Sequence, residues 1–193
     1  MLIVCADEVL VESELAAGLL VCPSCRGALA RWGYGRPRVL RCRGSDRVLR
    51  PRRARCRACL VTHVLLSELG LLRRRDEVAV IGAAIAAGVA GLGYRRIARG
   101  LGVPADTIRG WLRRFVQRAE VLRAHFTRCA AALDAELGPL LPAGSVVADA
   151  LEAVAVAGRA WVLRFGAADL WRVASRLSGG LLCNTSSLFP RLG

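Results

Sequence analysis

The stretch "RPRRARCRACLVTH", residues 50–63, sets five arginines around two cysteines and closes on one of the chain's two histidines. Read alone it is a basic tract; its meaning changes when it is paired with "CPSC" at 22–25. Cys22 and Cys25 form one Cys-x-x-Cys turn, Cys56 and Cys59 a second, and 30 residues separate them. A two-residue spacer lets both thiolates of a tight turn point at one tetrahedral ion, and a hairpin between two such turns completes a four-cysteine site. The expectation is therefore a structural zinc ribbon over residues 21–72, with Zn2+ held by Cys22, Cys25, Cys56 and Cys59. Such turns usually continue with glycine after the second cysteine, and here Arg26 and Leu60 stand in those places. Cys42, on the expected hairpin, and His63, four residues after Cys59, are alternative ligands; the simpler expectation makes them a strand cysteine and an exit-turn histidine. A catalytic zinc needs an open coordination position and a nearby carboxylate base. Nothing in the pattern supplies both, so the site is read as structural and no catalytic residue is expected.

The 29 basic residues of the 193 are all arginine, and alanine, leucine and glycine dominate the rest, a bias typical of a GC-rich genome. Arginine abundance alone thus says little, but its placement says more. Residues 1–25 hold four acids and no arginine, residues 26–118 hold 22 arginines against five acids, a net of +17, and residues 119–193 are nearly neutral. A segment that basic expects a polyanion. The N-terminus has no basic flank and carries four acids, which argues against an export signal and for a cytoplasmic protein; a polyanion partner for the basic segment makes nucleoid association the matching expectation. In a reducing compartment paired cysteines point to metal before disulfide, and Cys5, Cys129 and Cys183 read as small buried hydrophobes. The run "VAVIGAAIAAGVAGLGY", 78–94, has 17 uncharged residues, but its Ala and Gly make a poor membrane span; it is read as a tightly packed core helix, with no membrane partner.

Along the chain, residues 1–20 read as a short strand, 2–4, and a helix over about 7–19 with Val9, Leu10, Leu15 and Leu19 as its apolar residues. "RVLR" occurs at 38–41 and 47–50 around a Gly-Ser-Asp turn, which predicts a hairpin with exposed arginines. Residues 76–118 read as helical, a further helix covers 119–138, two more follow the "PLLPAGS" turn, and the tail 181–193 reads as irregular.

The segment "GYRRIARGLGVPADTIRGWLRRF", 93–115, has the pattern of a helix-turn-helix. Ile97, Ala98 and Leu101 give a small apolar face, Gly102 the turn, and Pro104 the start of a helix whose buried stripe is Ile108, Trp111, Leu112 and Phe115. Ala105, Asp106, Thr107, Arg109, Gly110 and Arg113 then face outward, the position that enters the major groove. Arg109 and Arg113 reach bases or phosphates, while Arg95, Arg96 and Arg114 suit the DNA backbone. The run before it supplies the first helix of a trihelical unit over 73–118.

A zinc ribbon followed at once by a helix-turn-helix is similar to the N-terminal region of many insertion-sequence transposases. "CPSC", "RWGYGRPR", "RPRRARCRACLVTHVLL" and "YRRIARGLGVPADTIRGWLRRF", in that order, more closely resemble an uncharacterised bacterial domain-of-unknown-function family carrying both modules. The resemblance covers about residues 1–118, with a weaker echo in "LSGGLLCNTSS". It implies DNA binding, beside a mobile element, and no defined activity.

The expected fold is mainly α with a small β zinc ribbon, then a trihelical helix-turn-helix and a C-terminal helical segment over 119–193. The expected partner is double-stranded DNA, with a homodimer formed through the C-terminal helices around Trp161 and Trp171, and a transposase as a further partner. A transposase reading competes, but it needs three carboxylates on a mixed sheet to hold two metal ions. After residue 118 there are only Glu120, Asp134, Glu136, Asp149, Glu152 and Asp169, all on expected helices. A truncated transposase and an RNA-binding zinc-ribbon protein compete as well; for stacking RNA bases the basic segment offers mainly Trp32 and Tyr34.

Overall fold

The computed structural model describes residues 1–184 and Phe189, so the expected irregular tail lies largely outside the described residues. The N-terminal part is a four-stranded sheet with one helix on its inner face. Strands β1 (Leu2–Val4), β2 (Leu29–Tyr34), β5 (Arg52–Cys56) and β6 (Thr62–Ser67) lie in the order β1-β6-β5-β2. β1 runs parallel to β6, and the other pairs are antiparallel. The alternation of β5 explains its place: Ala54 and Cys56 are buried, while Arg53 is exposed between Arg52 and Ala54. Helix α1 (Glu8–Ala16) starts where the Asp7 carboxylate accepts the Val9 and Leu10 amides at 2.9 and 3.2 Å. It buries Val11 and Leu15 against Val4, Leu29, Ala54 and Leu65. Of the expected apolar set Val9, Leu10, Leu15 and Leu19, only Leu15 is buried, and Val11 completes the face.

The expected hairpin forms. β3 (Arg38–Leu40) pairs antiparallel with β4 (Arg47–Leu49), and Leu40 at its base is fully buried. Its exit is fixed to the linker ahead of the helices: the Arg41 amide donates to Arg75 O at 2.6 Å, Glu77 donates back to Arg41 O, and Arg41 pairs with buried Asp76 at 2.9 Å.

Among the described residues six helices follow: α2 (Val78–Val89), α3 (Tyr94–Leu101), α4 (Ala105–Gln117), α5 (Ala119–Leu133), α6 (Val146–Phe165) and α7 (Leu170–Leu177). The apolar run 78–94 is broken into α2 and the start of α3 by Gly91 at φ 88°. Among the described residues no helix is long and apolar enough to cross a membrane. α2's glycines and alanines admit neighbours closely: a Cβ on Gly82 would lie 1.9 Å from the Trp171 ring, and one on Gly88 2.6 Å from Leu112. All six helices contribute to one core around Ile81, Ile85, Ile108, Trp111, Phe115 and Phe126. Residues after 118 thus pack into the same core as α2–α4, with α5 and α6 alongside each other. The described chain is mixed α/β, with the cysteine turns at the sheet end and a basic helical face beyond the linker.

Candidate metal centre and basic helical face

The two cysteine turns share the same backbone hydrogen bonds. In the first, Arg26 N–H donates to Cys22 O at 2.9 Å and Cys22 N–H to Gly27 O at 2.8 Å. In the second, Leu60 N–H donates to Cys56 O at 3.1 Å and Cys56 N–H to Val61 O at 2.9 Å. Each turn also aims an amide at its first sulfur: Ser24 N–H lies 3.4 Å from Cys22 Sγ, and Cys59 N–H 3.5 Å from Cys56 Sγ. The residue after the second cysteine is left-handed in both, φ 64° at Arg26 and 61° at Leu60. That is the backbone for which glycine is usual, and the two substitutions noted in the sequence occupy it under strain.

The β2–β5 ladder pairs Leu29 with Cys56 and so brings the turns together. All four sulfurs lie within 4.8 Å of one another, with Cys22–Cys59 at 3.7 Å and Cys25–Cys56 at 3.4 Å. Four ligands about 2.3 Å from a tetrahedral zinc would sit roughly 3.8 Å apart, so the sulfur set fits such an ion. Gly27, which the sequence reading missed, makes the approach feasible: a Cβ there would stand 2.8 Å from Ala58 Cβ and 3.1 Å from Cys56 Sγ.

The electrostatics of the four thiols oppose one another. Burial pushes Cys22 up, but the Ser24 and Cys25 amides, His63 and Cys59 outweigh it and bring the thiol down to about 5. The Cys59 amide likewise lowers Cys56. At Cys59 the Val61 amide lowers the value, yet the Cys25 sulfur, burial and the Cys56 and Cys22 sulfurs drive it up to about 12. Sulfurs this close cannot all become thiolates unaided; a divalent cation among them removes the conflict. The arrangement is that of a closed metal site.

His63 is buried, on β6, and is not one of the four converging groups. Its Nε2 lies 3.2 Å from Cys22 Sγ and its Nδ1 3.1 Å from the Met1 amine. The histidine expected in the exit turn thus stands on a strand, beside a cysteine sulfur. Cys42 stands apart, its thiol directed at Leu40 O at 3.5 Å, and burial together with Glu77 raises its value.

Across the linker, α3 ends at Gly102 with φ 66°, and Val103 N–H donates to Ala98 O at 3.2 Å. Pro104 caps α4, its carbonyl accepting from Thr107 and Ile108. Ile108, Trp111 and Phe115 are buried, and Leu112 is half-buried against Gly88 of α2. Arg95, Arg96, Asp106, Arg109 and Arg113 are exposed, and Ala105, Thr107, Gly110 and Arg114 half-buried. Arg95 and Arg109 converge from the two helices on the Tyr94 ring, at 5.6 and 5.9 Å from its centroid. Asp106 holds Arg109 at 3.0 Å, while Arg114 folds back to donate to Gly110 O at 2.9 Å. Arg114 is accordingly less free than the exposed Arg96 and Arg113.

Comparison with protein-family models, with curated proteins and with solved structures found no match to this chain. The chemistry of the site therefore rests on its own geometry.

Proposed function

We propose that the protein binds double-stranded DNA through a helix-turn-helix formed by α3 and α4, beside a zinc ribbon whose Zn2+ is structural. The observation that carries this reading is the pairing of a left-handed Gly102 turn with an α4 whose apolar stripe is buried and whose opposite side exposes Arg109 and Arg113. In this reading the N-terminal part of α4, residues 105–113, lies in the major groove, and Arg95 and Arg96 hold phosphates. The net charge of +17 over residues 26–118 supplies the sequence-independent attraction. Four cysteine sulfurs would fill all four positions of a tetrahedral ion, which suits zinc that holds a fold. The resemblance to insertion-sequence transposases supports a role as accessory or regulator of a mobile element.

The decisive experiment is selection of bound fragments from random duplexes at physiological salt with the zinc-loaded chain. An enriched motif lost in Arg109→Ala/Arg113→Ala is expected; binding with no enriched motif refutes sequence-specific recognition. We also propose a homodimer, its contact on α6, where Leu163 is 80 % exposed and Phe165 58 %. Trp171, which packs on Gly82 and is half-buried, offers less surface to a partner than these two residues. Light scattering gives a dimer in this reading and a monomer for Leu163→Glu.

A further inference from the structure

The two faces of the N-terminal sheet treat their arginines differently. On the inner face Arg31 and Arg52 flank Ala54, and both are neutralised by Glu12 of α1, at 2.9 and 2.6 Å. On the outer face lie Arg53 and Arg55 of β5, opposite Val64 and Thr62 of β6. Neither Arg53 nor Arg55 forms an ion pair among the described residues, and no helix covers this end of the sheet, where Arg53 and Val64 are exposed.

Onto this face the edge strand β2 delivers Trp32. Between Arg31 and Tyr34 the register slips by one residue, with Gly33 at φ 93°. Such a bulge re-aims side chains. Tyr34 goes to the inner face opposite Arg52, and Trp32 to the outer one, where the Arg55 guanidinium lies 4.6 Å from its ring centroid. Arg55 is held in place by donating from Nε to Leu60 O at 3.1 Å. Trp32 is nevertheless 50 % exposed. Trp32 belongs to neither hydrophobic core, and the structure sets a fixed cation beside its ring instead.

We infer that this outer face is a stacking platform for unpaired bases of a single nucleic-acid strand, separate from the duplex surface on α3 and α4. A base stacks on Trp32, Arg55 orients the ring and adds its own planar cation, and Arg53 takes a phosphate. The charge supports this occupant: residues 26–57 hold 12 arginines and one acid, Asp46. A duplex does not suit the face, because its bases are already stacked on each other and offer no free ring to Trp32. DNA and RNA single strands share this chemistry.

The test uses the full zinc-loaded chain and fluorescence anisotropy with 15-nucleotide oligothymidylate, the matching oligouridylate, and a duplex carrying the selected motif. One stacked base contributes about 1–3 kcal/mol, so Trp32→Ala should weaken single-strand binding roughly 5- to 150-fold, and Trp32→Phe far less. Arg53→Ala/Arg55→Ala should do the same while leaving the motif's contribution to duplex binding intact, and Arg109→Ala/Arg113→Ala should spare the single strand. The tighter of the two single strands identifies the natural one. Single-strand affinity unchanged in Trp32→Ala, or lost in the Arg109/Arg113 variant, overturns the inference, as does failure of both oligonucleotides to bind. Should Trp32→Ala misfold, cross-linking of 4-thiothymidine oligonucleotide to the wild-type chain replaces it: adducts on Trp32 or its strand support the platform, and adducts confined to α3 and α4 refute it.

Discussion

Arg26 and Leu60 occupy equivalent places in the two cysteine turns, each in left-handed backbone, at φ 64° and 61°. A left-handed conformation costs a non-glycine residue about 1–2 kcal/mol, and glycine returns part of that as unfolded-chain entropy, roughly 0.5–1 kcal/mol. Both side chains are exposed, so little packing is lost on replacement. Arg26→Gly and Leu60→Gly should each raise stability by a few tenths to about 1 kcal/mol with metal content unchanged. Chemical denaturation with zinc present measures it, and a lowered midpoint in both variants rejects the strain account.

The His63 Nε2 contact to Cys22 Sγ, at 3.2 Å, predicts a supporting role in metal retention. Groups that hydrogen-bond a ligand typically alter metal affinity by about 10–100-fold when lost. His63→Phe should therefore weaken zinc binding by that factor in competition with a chromophoric chelator, while the cobalt-substituted protein keeps a four-sulfur spectrum. A spectrum that loses a nitrogen ligand in the variant would make His63 a ligand and reject the assignment.

Gly82 predicts a third outcome. With its Cβ 1.9 Å from the Trp171 ring, Gly82→Ala forces α2 and α7 apart. Overpacking of this kind costs about 1–3 kcal/mol. Thermal melting should register the loss, and it should shrink in a Trp171→Leu background, where the ring that collides is gone. Equal losses in both backgrounds would place the cause elsewhere.

How much was legible follows from these same residues. The cysteine spacing and the repeated "RVLR" are local patterns, and the four-sulfur group and the hairpin match them. The Gly102 turn and the stripe from Ile108 to Phe115 were legible for the same reason, since one helix's period sets both its buried and its exposed faces. What was not legible depends on distant partners. Gly27 matters because Ala58 and Cys56 press on it, and Gly82 because Trp171 does, 89 positions away. Val11 replaces Val9 and Leu10 in the core because the sheet, not the helix's own apolar count, decides which face of α1 turns inward. The bulge at Gly33, which separates Trp32 from Tyr34, follows from the β2–β5 register and has no single-strand signature.

Burial makes Cys129 and Cys183 the basis of a pH prediction. Burial pushes the Cys183 thiol up from its ordinary 9.0 to about 11, against the opposing pull of Arg74, Arg114 and Arg118. Cys129 rises to about 11 for the same first reason, with Arg128 opposing. Between pH 9 and 11 the unfolded chain releases these protons and the folded chain keeps them, so the unfolded state gains stability relative to the fold. The contribution is fully present below pH 9 and is lost as pH rises through 11. Arginine, the chain's only basic side chain besides histidine, stays charged across that window and does not mask the effect. Denaturation midpoints with zinc present should therefore fall from pH 8.5 to 11, and fall less steeply in Cys129→Ala/Cys183→Ala, whatever the variant's lower starting stability. Both thiols should also resist alkylation at pH 8 until the chain unfolds. A slope that the double variant leaves unchanged would assign the alkaline loss to other groups.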